Sequence, residues 1–181
     1  TECGNTLSGV LIDADADRNR IGINATEQAY RNVVSANGSD GVRIIGTSTS
    51  ENIVAANYIG TDRTGAVSKK NHGDGVWIGQ GASSNRIGVD VTNSSSSTAQ
   101  GNVISGNEAN GVNITGADTR WNTVAGNCIG LDAAQKQALA NGDNGVQLGG
   151  ATSQNWIGTN GDGSAYESTE GNVISGNTLA G

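Results

Sequence analysis

The chain has 181 residues, a formal net charge of −7, 29 glycines and no proline, methionine or phenylalanine. With aromatics at 3% it lacks the bulky side chains that fill an ordinary globule, and without proline or a Gly-X-Y period it is no collagen. The acidic balance argues against a nucleic-acid partner, which needs a basic stripe, and no apolar run approaches the roughly 18 residues of a membrane span. What remains is short β-branched pairs between Gly, Asn, Ser and Asp, a pattern for many short strands around a narrow core.

Three anchors recur along the chain, five times each. The first is Gly-Val-x-hydrophobic, at Gly9-Val10-Leu11-Ile12 and again from Gly41, Gly75, Gly111 and Gly145. The second opens on Asn19, Asn52, Asn85, Asn122 and Asn155. The third opens on Asn32, Asn57, Asn102, Asn127 and Asn172. The copies Gly101-Asn102-Val103-Ile104-Ser105-Gly106-Asn107 and Gly171-Asn172-Val173-Ile174-Ser175-Gly176-Asn177 make a two-coil period plain. A fixed period of this kind marks a repeat architecture.

Residues two apart in a strand face the same way. Val10 with Ile12 and their repeats are therefore expected to point inward, as are the columns containing Ile21 and Val34. Each coil offers about four inward aliphatics, too few to bury alone, so coils must stack. Without a helical period between anchors, consecutive coils pair in parallel. The expectation is an all-β solenoid, a parallel β-helix with three strands per coil and about five coils, forming one segment over residues 1–181. The asparagines opening the second and third anchors should stack as amide ladders along the axis.

The third anchor sends Val33, Tyr58, Val103, Cys128 and Val173 outward. An apolar outer column calls for a cover, either a partner or the chain's own loops. Long excursions are expected at 61–74 and 131–144 on one side of this face, and at 23–31, 89–100 and 159–170 on the other. They carry Val67, Val91, Ala133, Ala134, Leu139 and Tyr166, which favours self-cover. Cys3 and Cys128 should lie about four rungs apart, about 19 Å at about 4.8 Å per rung, beyond disulfide reach. Both are read as free thiols. No polar or helical cap is legible, and Gly4–Gly9 closely repeats as Gly176–Gly181. An in-phase slice of a longer array, or a unit that self-associates through open coil ends, would read this way.

The pattern Gly-Val-x-Ile-x-Gly-Ala, then Asn-x-Ile, Asn-x-Ile-Gly-x-Asp and Gly-Asn-Val-Ile-Ser-Gly-Asn resembles the right-handed parallel β-helix repeats of the pectate-lyase-like superfold. More narrowly, it is similar to repeats of large bacterial secreted and surface proteins. The resemblance implies fold and an extracellular or cell-surface location, but that fold carries lyases, hydrolases, adhesins and spacers alike.

The resemblance also says where chemistry would sit. Calcium-dependent lyases of that superfold cluster Asp on adjacent rungs beside a base; the outward strand positions here give Arg20, Arg43 and Arg86 but no Asp. Glycosidases need paired carboxylates about 5–10 Å apart, and no dyad or triad is legible. His72, alone in a loop, reads as solvated. Asp13, Asp15 and Asp17 place three carboxylates in one turn, a setting Ca2+ prefers, although a solvated acidic turn explains them as well. Asp62 and Asp132 read as turn residues binding local N–H groups. Trp77, Trp121 and Trp156 are too scattered to form a sugar-binding groove. The leading expectation is a structural module (stalk, adhesin shaft or filament subunit), and the alternative is a carbohydrate-binding or carbohydrate-active β-helix with its site in the loops beside the third face.

Overall fold

The computed structural model describes residues 4–23, 31–90, 100–160 and 167–181. They form an all-β solenoid of three parallel sheets. The first sheet stacks Val10–Ile12, Val42–Ile45, Val76–Gly79, Val112–Thr115 and Val146–Gly149 in that order. The second stacks the strands that begin at Arg20, Ile53, Arg86, Thr123 and Trp156, and the third those that begin at Asn32, Asn57, Val103, Cys128 and Val173. Each sheet is five strands deep, so four turns separate its first strand from its last. Apart from the strands, the described residues include one helical turn, Glu167–Glu170.

Register sets like on like. Val42 lies between Val10 and Val76, and Val112 between Val76 and Val146. The inward columns are the expected ones. Val42, Ile44, Val76, Ile78, Val112 and Ile114 are wholly buried, as are Val54, Ile87 and Val124 from the second sheet and Ile59, Ile104 and Ile129 from the third. Each such side chain is worth about 1.5–3 kcal/mol relative to exposure. Each coil is covered by its neighbours, so burial falls off at the outer strands, and Leu148 is 47% exposed.

Both expected amide ladders are present. Asn19, Asn52, Asn85 and Asn122 each donate Nδ2–H to the Oδ1 of the next member, ending on Asn155, at 3.0–3.1 Å. The second runs from Asn32 through Asn57, Asn102 and Asn127 to Asn172 at 2.8–3.1 Å. The receiving Oδ1 also takes the backbone N–H of the preceding member, for example Asn52 N to Asn85 Oδ1 at 3.0 Å. This double acceptance fixes the corner. Arg18, Glu51, Ser84, Trp121 and Gln154, each just before a first-ladder Asn, sit at φ of 56–57°. Non-glycine residues seldom adopt that left-handed region, and here the stacked amides over-determine it.

A third ladder has the same grammar. Asn5, Asn37, Asn71, Asn107, Asn141 and Asn177 are joined at 2.7–2.8 Å, with 2.9 Å between Asn107 and Asn141. This corrects the expected loops at 61–74 and 131–144. Within these two stretches the chain leaves the solenoid for small hairpins, closed by the antiparallel bridges Thr61↔Ser68 and Leu131↔Ala138. It is back on the wall by Asn71 and Asn141, because those amides find ladder partners. The excursions expected on the other side fall largely on residues 24–30, 91–99 and 161–166, outside the described residues.

Candidate functional site

The outer column of the third face is unevenly covered. Val33 is 47% and Val173 38% exposed, Tyr58 is half-buried, and Val103 and Cys128 are buried. The cover comes from the hairpins of the second and fourth coils. Ala133 N donates to Gly65 O at 2.9 Å, joining the two hairpins across the intervening coil. Gly65 lies so close to the Tyr58 ring that an added Cβ would fall 2.7 Å from it. Val91 and Tyr166, also expected in the cover, lie outside the described residues.

Beside this column lies a cavity of about 220 Å³, lined by Arg31, Tyr58, Val103, Cys128, Ala133 and Gln135 among others. Arg31 stacks over the Tyr58 ring, 5.3 Å from its centroid, and donates from Nη1 to Gly101 O at 2.6 Å. Burial pulls the Arg31 guanidinium below its ordinary pKa, with Tyr58 opposing.

Cys128 is a free cysteine, and its Sγ faces the carbonyls of Leu131 and Asp132 at 3.9 and 3.6 Å. Burial pushes its thiol up to about 11. In a Cys3→Ser background, iodoacetamide at pH 8 is expected to modify Cys128 on the order of a hundredfold more slowly than an ordinary thiol, because the thiolate is the nucleophile. Labelling at the rate of a free thiol, followed by mass spectrometry, would show that the face is open. Cys3 lies outside the described residues.

Asp13, Asp15 and Asp17 are all exposed on the first corner, and Asp17 pairs with Arg18 at 3.0 Å. Among the described residues no three His, Cys, Asp or Glu side chains group closely enough to hold a metal ion. Asp62 and Asp132 anchor the hairpins. Asp62 Oδ1 accepts from the backbone of Thr64, Ala66 and Val67, each at 3.2 Å. Asp132 Oδ1 accepts from Lys136 N at 2.7 Å and Gln137 N at 3.2 Å.

His72 has a partner that the sequence did not suggest. Its Nδ1 lies 2.6 Å from Glu108 Oε2 on the next coil, and Lys70 Nζ lies 3.4 Å from the same oxygen. The hydrogen bond from His72, then the Lys70 charge, hold the Glu108 carboxyl below its usual range. The tryptophans are dispersed: Trp77 on the first sheet under the Arg43 guanidinium (3.8 Å to the ring centroid), Trp121 at a corner beside Arg120 (4.3 Å), and Trp156 on the second sheet.

A buried pair of carboxylates also escaped sequence reasoning. Asp40 and Asp74 are 5% and 7% exposed and stack at the corner between the third and first sheets, in a column continued by Asn110 and Asn144. The signal was present as Asn-x-x-Asp/Asn-Gly-Val, in which both polar residues keep register with the first anchor. No protein-family model, curated protein or solved structure matches the chain.

Proposed function

We propose that the chain is a structural repeat module of a secreted or cell-surface bacterial protein, a stalk, adhesin shaft or filament subunit, with coils of the pectate-lyase-like kind. The observation that carries this reading is continuity: three amide ladders run through the coils beside the aliphatic core. In such a stack stability is a sum of nearest-neighbour terms, so a rod can be lengthened coil by coil without redesign. A shaft needs that property. The expected result of a depolymerase assay on uronate polysaccharides is no turnover. Turnover that disappears on substituting one surface cluster would overturn the proposal. For the filament version, electron microscopy showing only single particles would count against end-to-end stacking.

The cavity beside the third face favours a second reading, carbohydrate binding. Its lining combines an aromatic ring at Tyr58 with polar groups at Arg31 and Gln135, the mixture that holds a sugar. A glycan array separates the two readings: a binder whose affinity falls on Tyr58→Ala supports the second, and an array without binders removes it.

A further inference from the structure

The column Asp40, Asp74, Asn110, Asn144 is a ladder with a defect. Above Asp74 it is regular. Asn110 donates N–H and Nδ2–H to Asp74 Oδ1 at 2.9 and 2.8 Å, and Asn144 gives the same pair to Asn110 Oδ1 at 3.2 and 2.9 Å. At the Asp40–Asp74 step the backbone bond survives, Asp74 N to Asp40 Oδ1 at 2.9 Å. The side-chain bond cannot form, because an ionised carboxylate has no proton to give. Two buried acids thus occupy adjacent rungs where every other step pairs an amide donor with an acceptor.

Their surroundings are unequal. Asp40 Oδ2 receives Arg43 Nη1 at 2.9 Å. Asp74 receives only neutral amides, those of Asn110 and the Nδ2–H of Asn113 at 2.9 Å. Among the described residues no cation pairs with it. The preceding coil presents Asp40 with its Arg43, and the following coil presents Asn110 and Asn113. His72, two residues back, is engaged with Glu108 at the surface.

We propose that the Asp40–Asp74 step is a proton-responsive joint, loose between the second and third coils at neutral pH and closed when Asp74 takes up a proton. The proton passes from solvent to a carboxylate oxygen of Asp74. The new O–H restores a side-chain donor on that rung, and the like-charge repulsion with Asp40 disappears. Burial raises the Asp74 carboxyl above its ordinary value, the Asn113 and Asn110 hydrogen bonds oppose this, and the Asp40 charge adds to it. A carboxyl raised on folding contributes stability that is fully present below its unfolded pKa and is lost as pH rises through its folded pKa. The joint therefore tightens on acidification between those two values.

The test is amide hydrogen exchange across pH 4–8, corrected for intrinsic rates. Asp74 N–H and Gly41 N–H, the latter bonded to Asp74 O at 2.9 Å, should gain protection severalfold as pH falls. Gly111 N–H, bonded to Asn144 O at 2.9 Å at the regular Asn110–Asn144 step, should stay flat. In Asp74→Asn the profile should flatten and the neutral-pH melting temperature should rise by about 2–4 °C. An unchanged profile in Asp74→Asn overturns the proposal. Should that variant not fold, the 13C shift of the Asp74 carboxyl in the unmodified protein decides. Titration above about 3.9, the unperturbed value, supports the joint, and titration at or below it overturns it.

Discussion

Asn102→Leu is expected to destabilise the solenoid by about 3–5 kcal/mol, although leucine is similar in shape and apolar. The amide sits 1% exposed at the centre of the second ladder. Its Nδ2 donates to Val54 O and Asn127 Oδ1, both at 2.8 Å, and its Oδ1 accepts Asn57 N and Nδ2, both at 3.0 Å. Leucine fills the space but leaves the Val54 carbonyl and the Asn57 backbone N–H buried without these partners. Each orphaned group costs about 1–3 kcal/mol, which exceeds any gain from burying two methyls. Asn32→Ala is the matching control. Asn32 is exposed and gives one ladder bond, Nδ2 to Asn57 Oδ1 at 2.9 Å, so its loss should cost less than about 1 kcal/mol. Urea unfolding measures both. Exchange rates at Asn57 and Val103 show whether the loss is confined to the neighbouring coils, as nearest-neighbour stability requires. Equal costs at the two sites would mean that the ladder bonds contribute nothing beyond surface polarity.

The three sheets and their inward columns were legible because alternation and a fixed period act together. Val-x-Ile can bury both residues only by facing inward, and five copies in register leave one way to stack them. Two of the ladders were legible for the same reason, since Asn19 immediately precedes a strand and Asn32 opens one, and both inherit strand register. The third ladder was hidden because Asn71 and Asn141 follow the hairpins, where composition reads as loop. Spacing to the next Gly-Val, four residues to the glycine in each copy, was the signal that would have placed them. Exposure along the third face could not be read from the sequence. Val33 and Val103 are the same residue at the same strand position, yet the first is 47% and the second 6% exposed. Val33 lies on the outermost strand of the third sheet and Val103 on its central one, beside the hairpins that Ala133 N joins to Gly65 O, and no local pattern encodes either circumstance. The His72–Glu108 pair was missed because its members are neighbours along the axis, 36 residues apart in sequence.

Gly75→Ala, the addition of one methyl, is expected to cost about 3 kcal/mol, at the upper end for overpacking. The backbone at this glycine is ordinary, so the constraint is space. An added Cβ would lie 2.5 Å from Ile104 Cγ2, 2.6 Å from Gly111 O and 2.8 Å from Asn107 Nδ2. Those three atoms belong to the core, the sheet and the third ladder, which converge where the chain turns into the first sheet. Gly41 and Gly111, one coil to either side, meet the equivalent atoms of Ile59, Gly75 and Asn71 and of Ile129, Gly145 and Asn141. Gly171 opens a repeat of the most conspicuous motif in the sequence, yet a Cβ there meets nothing within 4 Å. Gly171→Ala should therefore be neutral, or stabilising by up to about 1 kcal/mol through the unfolded chain. Thermal unfolding of the two variants side by side separates glycine needed for close approach from glycine that merely recurs. Adding Ile104→Ala to Gly75→Ala removes the nearest side-chain atom but leaves Gly111 O, which is tied by the Val76 N hydrogen bond at 2.9 Å. A double-mutant cycle should show coupling but incomplete rescue. Full recovery of the Gly75→Ala cost would mean that the core side chain alone, and not the stacked backbone, sets the spacing of the coils.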